Sequence, residues 1–122
     1  MPIGLMVMQW NPRTALETKA QYPDNKDLYI SDKTLLHILN LHGFGEKAEL
    51  TTLTVKKVNI ITYYSGKISN FYIILVLNLF EESVNFEQSL KEVALDILAN
   101  IEDEKYIEML PALFKKIKVT SS

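Results

Sequence analysis

Cysteine is absent from this sequence. Disulfides, thiolate metal sites, a thiol nucleophile and the attachment point for prenyl or palmitoyl groups are excluded together. A basic excess is missing too: 15 acidic residues outweigh 13 Lys and Arg, giving a formal net charge of −2 with no dense cationic cluster. Nucleic acid, whose binders carry a cationic footprint, is therefore not an expected partner. No apolar run approaches the roughly 18 residues of a membrane span. The opening stretch MPIGLMVMQW has no basic region and no small-residue cleavage pattern, and Pro2 stands where myristoylation requires Gly. The expectation is a cytoplasmic protein with no direct membrane anchor. Repeats, low-complexity tracts and interdomain linkers are likewise missing.

What is there reads as one domain over residues 1–122, with 48% hydrophobic and 23% charged residues. Its centre is residues 70–80, NFYIILVLNLF. Strand side chains alternate, so Phe71, Ile73, Leu75, Leu77 and Leu79 point one way and Tyr72, Ile74 and Val76 the other. Both faces are apolar, which places this strand mid-sheet with a packed layer above and below. The opening strand, from about Pro2, is apolar on both faces as well: Gly4, Met6, Met8 and Trp10 on one, Ile3, Leu5 and Val7 on the other.

Turn residues 11–14 (NPRT) lead to a half-buried strand, ALETKAQY, in which Leu16, Thr18, Ala20 and Tyr22 alternate with Glu17, Lys19 and Gln21. Ser31 is an N-cap candidate and Asp32 suits the positive helix end. A short helix then carries Leu35, Leu36, Ile38, Leu39 and Leu41 up to Gly43. Strands over 49–55 (ELTTLTV) and 58–65 (VNIITYYS) follow, joined at Lys56-Lys57, with burial rising from the first to the second. Ser65-Gly66-Lys67 turns the chain into the central strand. Asn85 and Gln88 resemble a capping box ahead of a helical stripe of Phe86, Leu90, Val93, Ala94, Ile97, Leu98 and Ile101. Glu102-Asp103-Glu104 links it to a last helix with Tyr106, Ile107, Leu110, Leu113, Phe114 and Ile117, where Pro111 predicts a kink or break near Leu110.

The element order is β-β-α-β-β-β-α-α. Placing the doubly apolar strands centrally, and keeping hairpin neighbours adjacent, gives an α+β, three-layer α/β/α sandwich around a five-stranded antiparallel sheet in the order 2-1-5-4-3. With GLMVMQWNP at the start, LETKAQYP in the second strand and NFYIILVLNL in the fifth, the chain resembles the longin domain, a SNARE-like, profilin-like fold, and is closest to stand-alone archaeal longin proteins. The roadblock fold, the nearest alternative, adds a helix before the first strand. The longin resemblance implies a non-catalytic protein-interaction module, a scaffold or subunit in small GTPase regulation or vesicle trafficking. Partners would be a small GTPase or another longin or roadblock subunit, in a homo- or heterodimer. A SNARE role is not expected, since no heptad segment follows. Alternatives are a small-molecule sensor on a profilin-like scaffold and a roadblock-like GTPase regulator.

No catalytic, cofactor or metal constellation emerges from the residues. His37 and His42 are five apart on a helix, about 140° around its axis, and do not converge on one metal. Structural roles are expected for both, His42 at the helix end. Ser65-Gly66 lacks a G-x-S-x-G elbow. The glycines of 42–45 (HGFG) follow a helix, where phosphate-binding loops follow a strand. Tyr63 and Tyr64 point to opposite faces, in core or rim. The expected partner surface is the third strand, uncharged from Leu50 to Val55 and free of proline, beside the leucine-rich first helix. Its candidate residues are Leu36, Leu39, Leu50, Thr52, Leu53 and Thr54. Leu53→Lys or Thr52→Pro is expected to weaken assembly and leave the monomer folded.

Overall fold

The structure, a computed structural model, describes residues 2–13, 15–25, 28, 30–42, 49–55, 58–66 and 69–117. The elements are β1 (Gly4–Asn11), β2 (Ala15–Tyr22), α1 (Asp32–His42), β3 (Glu49–Val55), β4 (Val58–Tyr64), β5 (Phe71–Asn78), a 3₁₀ turn (Ser83–Phe86), α2 (Glu87–Ala99) and α3 (Lys105–Lys116). Gly43 as a helix end, the glycine pair of the 42–45 loop, the Lys56-Lys57 joint, Thr14 and Lys67 of the two turns, and the side chains of Asp32 and Leu41 lie outside the described residues.

The strands form one antiparallel sheet in the order β2-β1-β5-β4-β3, as the burial gradient predicts. Phe71 to Leu77 are all buried. One sheet face, with Leu5, Val7, Ile61, Tyr63, Ile73 and Leu75, packs against Phe86, Leu90, Val93 and Ile97 of the 3₁₀ turn and α2 and Tyr106, Leu110 and Leu113 of α3. The opposite face, with Met6, Met8, Val58, Ile60, Tyr64, Tyr72 and Ile74, packs against Leu28 and against Ile38 and Leu39 of α1. Each fully buried aliphatic or aromatic side chain contributes roughly 1.5–3 kcal/mol before chain entropy is counted. The sandwich is held from its middle strand outward.

Several local expectations are corrected. β1 starts at Gly4, and Ile3 packs on the same face as Met6, because it precedes the strand and lies outside its alternation. The register of β2 slips at Lys19: Val7 faces Ala20, yet Met8 faces Thr18. One extra residue reverses the alternation, so Leu16 packs on the α1 face while Ala20 and Tyr22 pack under α3. β5 ends at Asn78, leaving Leu79 and Phe80 in a turn, 47% and 97% exposed. Asn85 and Gln88 make no capping box: α2 has no side-chain cap and continues out of the 3₁₀ turn, whose Asn85 N–H bonds the Glu82 carbonyl. Gln88 Nε2 instead donates to Glu92 at 3.2 Å. Pro111 does not break α3, which runs unbroken from Lys105 to Lys116. Burial of Tyr106, Leu110 and Leu113 outweighs the missing N–H, and the carbonyl that loses its donor belongs to exposed Ile107.

Gly4 has a steric reason. A Cβ built there would lie 2.5 and 2.8 Å from the two Cδ atoms of Leu28 and 3.0 Å from the carbonyl oxygen of Tyr22. Leu28 packs directly over this Cα, so a side chain at position 4 would have to push the Leu28 methyls aside. Gly4→Ala is expected to destabilise the protein by about 1–3 kcal/mol, as overpacked core positions do. A denaturant midpoint unchanged from the parent chain would count against this contact.

Candidate functional site

Among the described residues, β3 lies at a sheet edge, with β4 as its one strand neighbour. Its side chains alternate weakly. Leu50 packs under the α2 and α3 layer, and Leu53 and Val55 pack under the α1 layer, all partly buried. Thr52 and Thr54 are exposed. Thr54 Oγ1 donates to Asn59 Oδ1 at 2.7 Å, and Asn59 Nδ2 donates to the Glu81 carbonyl at 2.8 Å. That chain of bonds ties the edge to the turn after β5. There Phe80 N–H bonds Asn78 Oδ1 at 2.9 Å and Asn78 N–H bonds Glu81 Oε1 at 3.1 Å. Phe80 is thus an exposed aromatic on a hydrogen-bonded turn.

At the other end of β3 sits a polar cluster. Ser31 Oγ accepts from the Thr34 N–H at 3.2 Å, the N-cap bond its position predicts, and starts α1. The buried face of α1 is Thr34, Ile38, Leu39 and His42. Helical spacing puts His42 one turn beyond Ile38, on the apolar stripe rather than on the solvent face. Its Nδ1 lies 3.1 Å from Glu49 Oε1, the first residue of β3. The ring also meets Tyr64 and Tyr72, each with its centroid 5.4 Å away. Those two tyrosines face each other across β4 and β5 and stack at 4.7 Å. Burial lowers the His42 pKa below 6.5, opposed by the hydrogen bond and negative charge of Glu49. Burial, then the neighbouring Tyr64 and Glu49, pushes Tyr72 up to about 12. Tyr64 is raised by burial and Glu49.

The expected surface residues do not stay together. Leu36 is 59% exposed, whereas Leu39 is 4% exposed and belongs to the core. Leu39 is therefore corrected from partner contact to core residue: it follows Ile38 on the face of α1 that the sheet covers. Leu50 and Leu53 contribute packing as well as edge. Thr52 and Thr54 present exposed side chains on the edge itself. His37 is exposed and His42 buried, so the two histidines do not converge. Tyr63 and Tyr64 are both core residues, on opposite faces.

The sequence reading missed the cluster at His42, Glu49, Tyr64 and Tyr72 because its members are scattered along the chain. The available signal was the position of His42 on the stripe of Ile38 and Leu39. Among the described residues, no group of three or more His, Asp or Glu is placed to hold a metal. None of the described helices is long and apolar enough to cross a membrane. No family model matches the chain, and no curated protein matches it. A separate cleft of about 360 Å³ lies between β2 and α3, lined by Lys19, Ala20, Tyr22, Ile107, Leu110 and Pro111 among others.

The division of α1 into a core face and a free leucine is directly measurable. Leu39→Ala is expected to cost about 2–5 kcal/mol in urea unfolding, and Leu36→Ser to stay within about 0.5 kcal/mol of the parent. Equal losses at both positions would show that α1 is seated differently on the sheet.

Proposed function

We propose that this chain is a non-catalytic protein-interaction module of the longin type, a cytoplasmic scaffold or subunit that works beside a small GTPase or in membrane trafficking. The observation that carries the reading is the edge strand β3. Among the described residues it has a strand on one side only; it carries no charge from Leu50 to Val55, and Thr52 and Thr54 are exposed along it. Such an edge is a template for another strand. The longin resemblance supports the choice of partner class, and the strand order 2-1-5-4-3 is the one that resemblance implies. The partner is a second copy or another subunit of the same fold, whose edge strand extends the sheet while Leu36 of α1 meets the partner's helix layer.

The test begins with assembly. Thr52→Lys places a charge on the edge, keeps the backbone N–H, and replaces an exposed side chain. It is a cleaner probe than Leu53→Lys, because Leu53 packs against the core. The substitution is expected to raise the dissociation constant of the assembly roughly tenfold or more, about 1.4 kcal/mol, with an unchanged unfolding midpoint. Sedimentation of the parent chain as a monomer at high concentration, with affinity capture at gentle salt recovering no GTPase, tethering or longin-type subunit, would overturn the reading.

A second reading would seat a ligand in the half-open cleft between β2 and α3. Its volume of about 360 Å³ falls within the range of small-ligand pockets, roughly 300–1,000 Å³. Tyr22, Leu110 and Pro111 give it apolar walls, and Lys19 and Asp24 supply opposite charges. On this reading the chain is a small-molecule sensor on a profilin-like scaffold. A ligand at about 100 times its dissociation constant adds about 2.7 kcal/mol of stability, so a thermal-shift screen is expected to register it, and Ile107→Trp, at an exposed position lining the cleft, to abolish the shift. A screen in which every hit survives Ile107→Trp would remove the cleft from consideration.

A further inference from the structure

The bonding of the His42 ring is only half complete. Its side chain has no solvent exposure, and Nδ1 is 3.1 Å from Glu49 Oε1, a residue whose own side chain is 44% exposed. A carboxylate accepts, so Nδ1 carries the proton and Nε2 of the neutral ring is an acceptor. Nε2 is buried with no hydrogen-bond partner among the described residues. Among the described residues, the ionisable groups facing the ring are Glu49 from β3, Tyr64 from β4 and Tyr72 from β5. Beside it on the buried face of α1 are Thr34, Ile38 and Leu39, none of them ionisable.

We infer that His42 and Glu49 form a pH-sensitive latch that holds the amino-terminal end of β3 in register and releases it on acidification. The edge strand is then a full-length template for a partner only while the ring is neutral. That last step rests on the partner-binding reading of β3; the latch itself rests on the geometry around His42.

A second proton on the imidazole goes to Nε2, placing a donor with no acceptor among the described residues, and a positive charge, among buried rings. Glu49 attracts that charge, but its oxygen is bonded to Nδ1 and does nothing for Nε2. Neither phenol supplies a negative charge near neutral pH, since both Tyr64 and Tyr72 are shifted upward. When the start of β3 lets go, the ring meets water and regains its ordinary pKa of 6.5. The open form then takes up a proton that the closed form refuses. The folded-state pKa is the lower one, so the latch's contribution is complete above about pH 6.5 and is lost as pH falls through the folded-state value. Between those limits the opening equilibrium shifts by up to about tenfold per pH unit for one proton. The pairs that open are those at the head of the strand, Glu49 with Tyr64 and Leu50 with Tyr63.

Amide hydrogen exchange and NMR titration of the intact chain between about pH 7.5 and pH 5 test this. His42 is expected to titrate below 6.5. After correction for intrinsic chemistry, exchange over Leu50–Thr52 is expected to rise with acid by up to about tenfold per pH unit relative to β5. His42→Phe keeps an aromatic ring in the site and is expected to make that rise vanish. Glu49→Gln, at a half-exposed position, keeps a hydrogen-bond acceptor, loses the charge, and is expected to lower the His42 titration further. A His42 titration at or above 6.5, exchange at the strand head as slow in acid as at neutral pH, or the same rise in His42→Phe would each overturn the latch. Sedimentation of the same samples separates the two readings. A chain that is monomeric at every pH while its strand head opens in acid keeps the latch and loses the partner role. Assembly indifferent to pH while the strand head opens overturns the link between them.

Discussion

Phe71 to Leu77 must be dry on both faces at once, and no arrangement with one bare face satisfies that. β1 and β4 flank β5 because each has enough apolar residues of both parities to continue the two cores sideways: Leu5 and Val7 against Met6 and Met8, Ile61 and Tyr63 against Ile60 and Tyr64. Two helices close one face and one helix with Leu28 closes the other. β2 and β3 are left outside as the strands that tolerate water. Their edge positions follow from what the central strand excludes more than from their own composition.

The same constraint explains which parts of the fold were legible in the amino-acid sequence. Alternation in β5 and the stripe from Phe86 to Ile97 are repeated signals, each residue supporting the next, and the structure reproduces both faces of each. The departures sit where a single residue or a tertiary contact decides. One extra residue at Lys19 inverts β2, and no pattern of apolar and polar residues marks a bulge. Pro111 has a strong local preference against a helix interior, but three buried neighbours on α3 override it. Asn85 has the chemistry of a cap, yet the chain reaches α2 through a 3₁₀ turn, so the backbone supplies the bond. Leu79 and Phe80 continue an apolar run that the strand does not, because Asn78 and Glu81 close a turn beneath them.

The candidate site was legible in outline and not in its depth. An uncharged strand of middling hydrophobicity reads as an edge without any structure. Whether a given leucine beside it faces out is another matter, since adjacent helix positions differ by 100°. Leu36 and Leu39 are three positions apart, and one is largely exposed while the other is in the core. His42 was assigned to the helix end, where a cation complements the dipole. The ring does lie in the last turn of α1, but burial between Tyr64, Tyr72 and Glu49 gives it a different electrostatic setting. Helix periodicity alone places it on the covered face; the identity of its neighbours needs the register of three strands.

The two sheet edges are defended unequally. β2 carries a bulge at Lys19, which twists an edge away from a flat template, and Glu17 and Lys19 form an exposed ion pair at 3.6 Å beside it. Such a pair adds little stability at the surface, but two charges midway along a strand are costly to bury against another chain. β3 has neither device. It runs in unbroken register with β4 from Glu49 to Val55, and its single charge, at the first position, is half-exposed and bonded to His42. From Leu50 to Val55 the strand carries no charge of its own that pairing would have to bury.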